Sequence, residues 1–168
     1  MPLQHHCKKN PLSAQAAKSV FRQVIAAVAY LHSHNLAHRD LKLDNILYNL
    51  DADKVKIIDF GFCLECRDDT KLDVCCGTPH YMCPDLAARR PNNPKASDVW
   101  ACGVILYILV IGKLPFFAEF EQDLYRKIQT AKHPQLPADL DPSLKSLISQ
   151  IFVTDQKRRP SAQQVLDH

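Results

Sequence analysis

The sequence predicts a mainly α-helical domain carrying one short β-hairpin, and three patterns support that expectation. Ala17, Val20, Phe21, Val24, Val28 and Leu31 recur at the spacing of one helix face. Val99 to Gly112 runs fourteen residues without a charge, as a helix buried on all sides would. Two β-rich runs, Ile46-Leu47-Tyr48 and Val55-Lys56-Ile57-Ile58, flank a polar turn from Asn49 to Lys54. At 168 residues, 46% hydrophobic, with a mean hydropathy of -0.20, the chain is long enough for one domain with its own core.

Taken in order, Met1 to Asn10 is polar, and His5-His6-Cys7 is expected at an exposed helix end rather than in a metal cluster. Residues 1–11 are read as the remnant of a preceding helix or linker, and residues 12–168 as the domain. Ser13 is the N-cap of the first clear helix, which ends near Asn35, a residue that tolerates the left-handed conformation. The hairpin follows, and then an irregular polar stretch through Asp73. Ser97-Asp98 opens the uncharged helix, whose fourteen residues fall short of the about twenty that a membrane span needs, so no membrane partner is expected. Phe120 to Lys132 is amphipathic, Asp141-Pro142 reads as a cap followed by proline at the first helical position, and Ser161-x-x-Gln164 is a capping box.

Composition narrows the function classes. A net charge of +3 with short, scattered clusters (Lys8-Lys9, Arg89-Arg90, Lys157-Arg158-Arg159) reads as solvated faces and argues against a nucleic-acid surface. Seven cysteines without framework spacing, behind an amino terminus lacking an apolar signal run, point to the reducing cytosol or nucleus. Cys63-x-x-Cys66 is followed by Cys75-Cys76 but by no second well-spaced ligand pair, which argues against zinc. The four glycines, at 61, 77, 103 and 112, lie nowhere closer than nine residues, which excludes both G-x-G-x-x-G and the Walker A loop from these residues.

The chemistry concentrates in His38-Arg39-Asp40-Leu41-Lys42-Leu43-Asp44-Asn45, which places a base, a cation and a metal ligand within eight residues. Antiparallel pairing of the hairpin would set Asn45, before its first strand, beside Asp59 of Asp59-Phe60-Gly61, after its second. An amide and a carboxylate so placed suit Mg²⁺.

The first stretch resembles the catalytic loop of a protein kinase, since H-R-D-L-x-x-x-N is met at every fixed position, and Asp59-Phe60-Gly61 resembles the metal-binding motif that follows it. The resemblance implies that Asp40 takes or orients the proton of an attacking hydroxyl, Lys42 neutralises charge on the transferred phosphoryl group of ATP, and Asn45 and Asp59 hold Mg²⁺. His38, Arg39, Phe60 and Gly61 would be structural. Cys76-Gly77-Thr78-Pro79-His80-Tyr81-Met82-Cys83-Pro84-Asp85 resembles the end of an activation segment. There Thr78 lines the substrate-hydroxyl site, and Cys83-Pro84-Asp85 stands for the family's A-P-E, with Asp85 expected to pair with Arg159 in altered geometry. Asp98 would bond back to the catalytic loop or simply cap its own helix. Leu47 would form the floor under the adenine, and Asp44 would contact basic substrate residues.

From residue 12 to His168 the resemblance covers the helical large lobe of a serine/threonine kinase, closest in wording to the calmodulin-dependent and SNF1-like groups. The family's small lobe, with its Gly-rich loop and V-A-I-K lysine, is absent from these residues, and Lys56 lies in the hairpin instead. The expected partners are protein substrates bearing Ser or Thr, together with a small lobe or partner chain. The alternative is a truncated, inactive kinase-like binding module or decoy. Where SNF1-like kinases carry an activating threonine that pairs with the Arg of the catalytic loop, here Arg39, this chain has Val74.

Overall fold

The computed structural model describes residues 1–9 and 12–168. The break expected after residue 11, and the solvated face expected for Lys8-Lys9, fall on residues or side chains outside that description.

Helix α1 (Leu3–Lys9) is part of the core rather than an appendage. Leu3 is fully buried, Pro2 bridges Leu47, and His6, expected to be exposed, is 4% exposed and stands edge-on to Tyr48 at 5.6 Å. The exposed-end expectation therefore fails at His6: an imidazole on the inner face of a short helix packs against the nearest aromatic ring.

Helix α2 (Ala14–Ser33) starts where its cap predicts, with the Ser13 hydroxyl accepting the Ala16 N–H at 3.2 Å, and the chain leaves it through Asn35 at φ 57°. It buries Ala17, Val20, Phe21, Val24 and Val28 against α4 and α7, whereas Leu31 is only half-buried. Strand β1 (Leu36–Ala37) then leads to the loop before a 3₁₀ turn at Leu43–Asn45. Strands β2 (Ile46–Asn49) and β3 (Lys54–Ile57) pair antiparallel, Ile46 opposite Ile57 and Asn49 opposite Lys54. The next short strand, β4 (Leu64–Glu65), returns to pair with β1.

A second 3₁₀ turn (Pro79–Tyr81) and the one-turn helix α3 (Pro84–Ala87) precede α4 (Pro94–Ile111). This central helix begins earlier than its apolar run suggests. Asn93 is the cap, its Oδ1 accepting the Ala96 N–H at 2.9 Å, and Pro94 fills the first helical position. Asp98 consequently sits a turn inside the helix and does not cap it. With 18 residues at mean hydropathy 1.5, α4 has the length and apolarity of a membrane span, but 67% of it is buried inside this protein. Trp100 packs on Phe116 (5.5 Å between ring centres) and Phe152 (4.9 Å). Gly103 lets α4 approach α6 so closely that a Cβ would strike Ile151.

Helices α5 (Glu121–Gln129), α6 (Pro142–Ile151) and α7 (Ala162–Leu166) complete the mainly α fold. Asp141 accepts the Ser143 and Leu144 N–H groups, and the Ser161–Gln164 capping box is formed in both directions. Arg89, Arg90, Lys157 and Arg158 are exposed, while Arg159 is buried.

Candidate active site

The loop from His38 to Asn45 is held from beneath by one side chain. Asp98, 2% exposed, accepts the N–H groups of His38 and Arg39 at 2.8 Å each, and His32 Nε2 lies 3.0 Å from the same carboxylate. A carboxylate this deep in a core is tolerable only when its oxygens are saturated, and here three donors do so. His38 fixes the loop from above. Its Nε2 donates to the Ile58 carbonyl at 3.1 Å and its Nδ1 accepts the Asp40 N–H at 3.3 Å, so one tautomer satisfies both neighbours. Phe60 packs on the His38 ring at 5.0 Å.

These two anchors present Asp40, 6% exposed, with both carboxylate oxygens engaged. Oδ2 accepts Lys42 Nζ at 2.7 Å and Asn45 Nδ2 at 3.2 Å, and Oδ1 accepts the Thr78 hydroxyl at 2.9 Å. Lys42 also donates to Thr78 Oγ1 at 3.1 Å, which closes a triangle of carboxylate, ammonium and hydroxyl. Asn45 Nδ2 donates again to the Asp40 carbonyl at 2.9 Å, leaving its amide oxygen as the free end of the side chain. Gly77, at φ 104°, allows the Thr78 loop to come this close, because a Cβ there would lie 3.0 Å from the Arg39 carbonyl.

The hairpin brings Asp59 back to the loop, as the Ile58 N–H bonding to the Asn45 carbonyl at 2.9 Å shows. Asp59 is exposed, stands at φ 63°, and accepts the Gly61 N–H at 3.3 Å. Arg39 is also left-handed, at φ 70°. Two such non-glycine residues flanking one cluster are backbone strain held by the surrounding fold. Leu47 is half-buried, pointing to the face of β2 opposite Ile46 and Tyr48, and Asp44 is exposed. A groove of ≈690 Å³ opens beside Thr78 and Asp44, with Tyr81, Ile108, Ile111 and Leu114 among its walls.

Residues 2–168 match the protein kinase domain. The chain belongs to the protein kinase family. It is 38% identical over 160 residues to the probable serine/threonine-protein kinase HSL1 of Saccharomyces cerevisiae, covering 95% of this chain and 10% of that protein. It is 38% identical to maternal embryonic leucine zipper kinase of Xenopus laevis over 162 residues (95% of this chain, 25% of the relative), and 38% identical to sperm motility kinase 2B of Mus musculus over 165 residues (98% and 34%). The chain thus spans between a tenth and about a third of the length of these kinases. Protein kinases as a family use ATP and Mg²⁺ and act on proteins.

One expectation drawn from the kinase resemblance is corrected. Asp85 and Arg159 make no direct ion pair. Asp85 Oδ1 meets Arg90 at 3.4 Å instead, and its Oδ2 has no partner among the described residues. Arg159 turns its guanidinium to the carbonyls of Ala96 and Val153, 2.9 Å each, and lies over Trp100 at 5.0 Å, with Nε unbonded. Asp85 carries one methylene fewer than the family's Glu, and each group keeps one buried polar atom without a partner among the described residues. Burial pulls the Arg159 pKa down, against the opposing influence of Cys83 and Asp85.

Three contacts of the site carry no signal in the sequence. His32 meets Asp98 from 66 positions away, a separation no motif spans. Tyr81, whose oxygen lies 3.5 Å from the Leu43 N–H, has its phenol pushed up to about 12 by burial. Gly77 was visible as part of Cys76-Gly77-Thr78-Pro79, but its contact with Arg39 was not.

Proposed function

We propose that these residues are the large lobe of a serine/threonine kinase which, completed by a small lobe, transfers the γ-phosphoryl group of ATP to Ser or Thr of protein substrates. The observation that carries this reading is the closed triangle of Asp40, Lys42 and Thr78 with Asn45 at its edge. In the reaction, the substrate hydroxyl oxygen bonds to the γ-phosphorus as the bond from that phosphorus to the bridging oxygen breaks, releasing ADP. Asp40 accepts the hydroxyl proton, Lys42 neutralises charge on the transferred group, and Thr78 holds both in register. Asn45, through its free amide oxygen, and Asp59, through its exposed carboxylate, offer the hard oxygen donors that suit Mg²⁺. The ion, when bound, neutralises phosphate charge. The ≈690 Å³ groove would take the substrate peptide, with Asp44 favouring Arg or Lys near the target residue, and Leu47, half-buried on β2, would form the floor under the adenine. Free thiols at all seven cysteines support a reducing cytosolic or nuclear setting.

The second reading, a kinase-like binding module, is favoured for these 168 residues alone, because they contain no Gly-rich phosphate loop. The two readings separate in one assay, phosphate transfer from labelled ATP to a basic peptide with Mg²⁺. The isolated chain is expected to show negligible transfer. Fused to a compatible small lobe, it is expected to approach the family range of about 1–100 s⁻¹, falling at least about 100-fold in Asp40→Asn. A fusion that folds and binds ATP but transfers nothing leaves the binding-module reading standing.

A further inference from the structure

The sixteen residues from Phe62 to Gly77 lead from the hairpin to the Thr78 loop, and they hold a single hydroxyl, at Thr70. That hydroxyl is used locally, accepting the Arg67 N–H at 2.8 Å. Val74 is 61% exposed and carries none. Arg39, which faces this stretch, donates to the Phe62 carbonyl at 3.4 Å and pairs with no carboxylate among the described residues.

Two adjacent asparagines at the start of α4 hold the segment instead. Asn92, 4% exposed, exchanges both main-chain hydrogen bonds with Leu72, at 2.9 and 3.0 Å, and donates its side-chain Nδ2 to the Leu72 carbonyl at 3.0 Å. Its Oδ1 lies 3.0 Å from the Ser97 hydroxyl, which also reaches the Asn93 carbonyl at 2.9 Å. Asn93 caps α4 with its Oδ1 and donates Nδ2 to the Asp68 carbonyl at 2.6 Å, while its N–H donates to Gln156 at 2.6 Å. Lys95 adds an ion pair to Asp68 at 2.6 Å, but that Asp side chain is 93% exposed and the pair contributes little.

We infer that Asn92 and Asn93 clasp residues 68–72 onto the first turn of α4, so that the segment leading to Thr78 is ordered by the chain's own amides, without an added phosphate. The consequence for catalysis rests on the kinase reading above, while the clasp itself is measured without ATP.

The test is amide hydrogen exchange on the 168-residue chain. In the unmodified wild type, the Leu72 amide is expected to exchange at least about tenfold more slowly than in an unstructured peptide. Asn92→Ala keeps the main-chain pair with Leu72 but loses the side-chain bond to the Leu72 carbonyl, and should speed Leu72 exchange at least about threefold, with α2 and α4 amides changed by less than about twofold. Asn93→Ser keeps a capping oxygen but loses the donor to Asp68, and should speed Leu72 exchange about threefold with α4 unaffected. Val74→Glu, at an exposed site, should leave Leu72 unchanged. Fast exchange in the wild type, or none gained in Asn92→Ala, overturns the clasp. So does a tenfold slowing in Val74→Glu, which would mean that the segment awaits a negative charge. If Asn92→Ala speeds every amide, Asn93→Ser decides: acceleration near Leu72 alone supports the clasp, and no acceleration overturns it. Failure of the exchange test leaves the kinase reading intact, whereas absence of phosphate transfer in a small-lobe fusion whose Leu72 is protected counts against that reading only.

Discussion

Asp85 and Arg159 are two buried groups that each keep one polar atom without a partner among the described residues, Oδ2 and Nε, and Asp85 is one methylene shorter than the family's Glu. Lengthening the shorter side chain is therefore expected to help. Asp85→Glu should raise unfolding free energy by about 1–2 kcal/mol in denaturant titration, since it gives the unbonded Arg159 Nε a charged acceptor. A loss of stability would show that the site has repacked around the shorter acid. Tyr81 makes a prediction of the opposite kind, about pH. Its phenol ionises at about 12 in the folded chain, chiefly because of burial, against about 10 when unfolded. Its contribution is complete below about pH 10 and is lost as pH rises toward about 12, because the unfolded chain sheds the proton first. Tyr81→Phe should flatten the alkaline loss of stability between about pH 10 and 11 in matched denaturation curves. At this scale the sequence was legible where residue type sufficed, as in Ser13 and Ser161. It was silent where the outcome turned on a reach of one methylene or on a ring landing against Tyr48.

Helices announced by periodicity and caps were legible, and α4 shows where that reading stopped. Its uncharged run begins at Val99, but the helix begins at Pro94, because Asn93 supplies the capping oxygen and Pro94 the pre-set φ. Asn93-Pro94 is a cap–proline pair in the sequence itself, and the apolar run that follows it carries the stronger periodic signal. The two-residue strands β1 and β4 carry no periodicity that a sequence could display, since they are fixed by the tertiary approach of residues 36–37 to 64–65. The earlier start of α4 matters because it puts Asp98 inside the helix, facing the catalytic loop. Asp98→Ala would strand the buried N–H groups of His38 and Arg39 and should cost about 2–5 kcal/mol. Asp40→Asn keeps the side chain's shape and one acceptor oxygen while removing the charge that Lys42 pairs with, and should cost less, about 1–2 kcal/mol. Thermal melts of the two variants should differ clearly, and equal melting temperatures would contradict the division between a supporting and a reacting carboxylate.

In the whole molecule, one helix serves three neighbours. From α4, Asp98 reaches His32 at the end of α2 and the His38 and Arg39 amides in the loop. Asn92 and Asn93, just before it, reach the segment before Thr78. The bonds from Asp98 to the loop cross 60 and 59 residues of chain. Contacts that distant form only after the intervening loop has closed, whereas the turns of α2 need only local pairs. The left-handed Arg39 has little reason to be populated before Asp98 arrives to accept its N–H. The carboxylate that steadies the loop in the finished fold is therefore also a timer during refolding. In pulse-labelled refolding, the His38 and Arg39 amides should gain protection together with α4 and later than α2, and their protection ahead of α4 would refute that order. A chain in which α4 docks slowly would spend that interval with its helices made and its active site still unwritten.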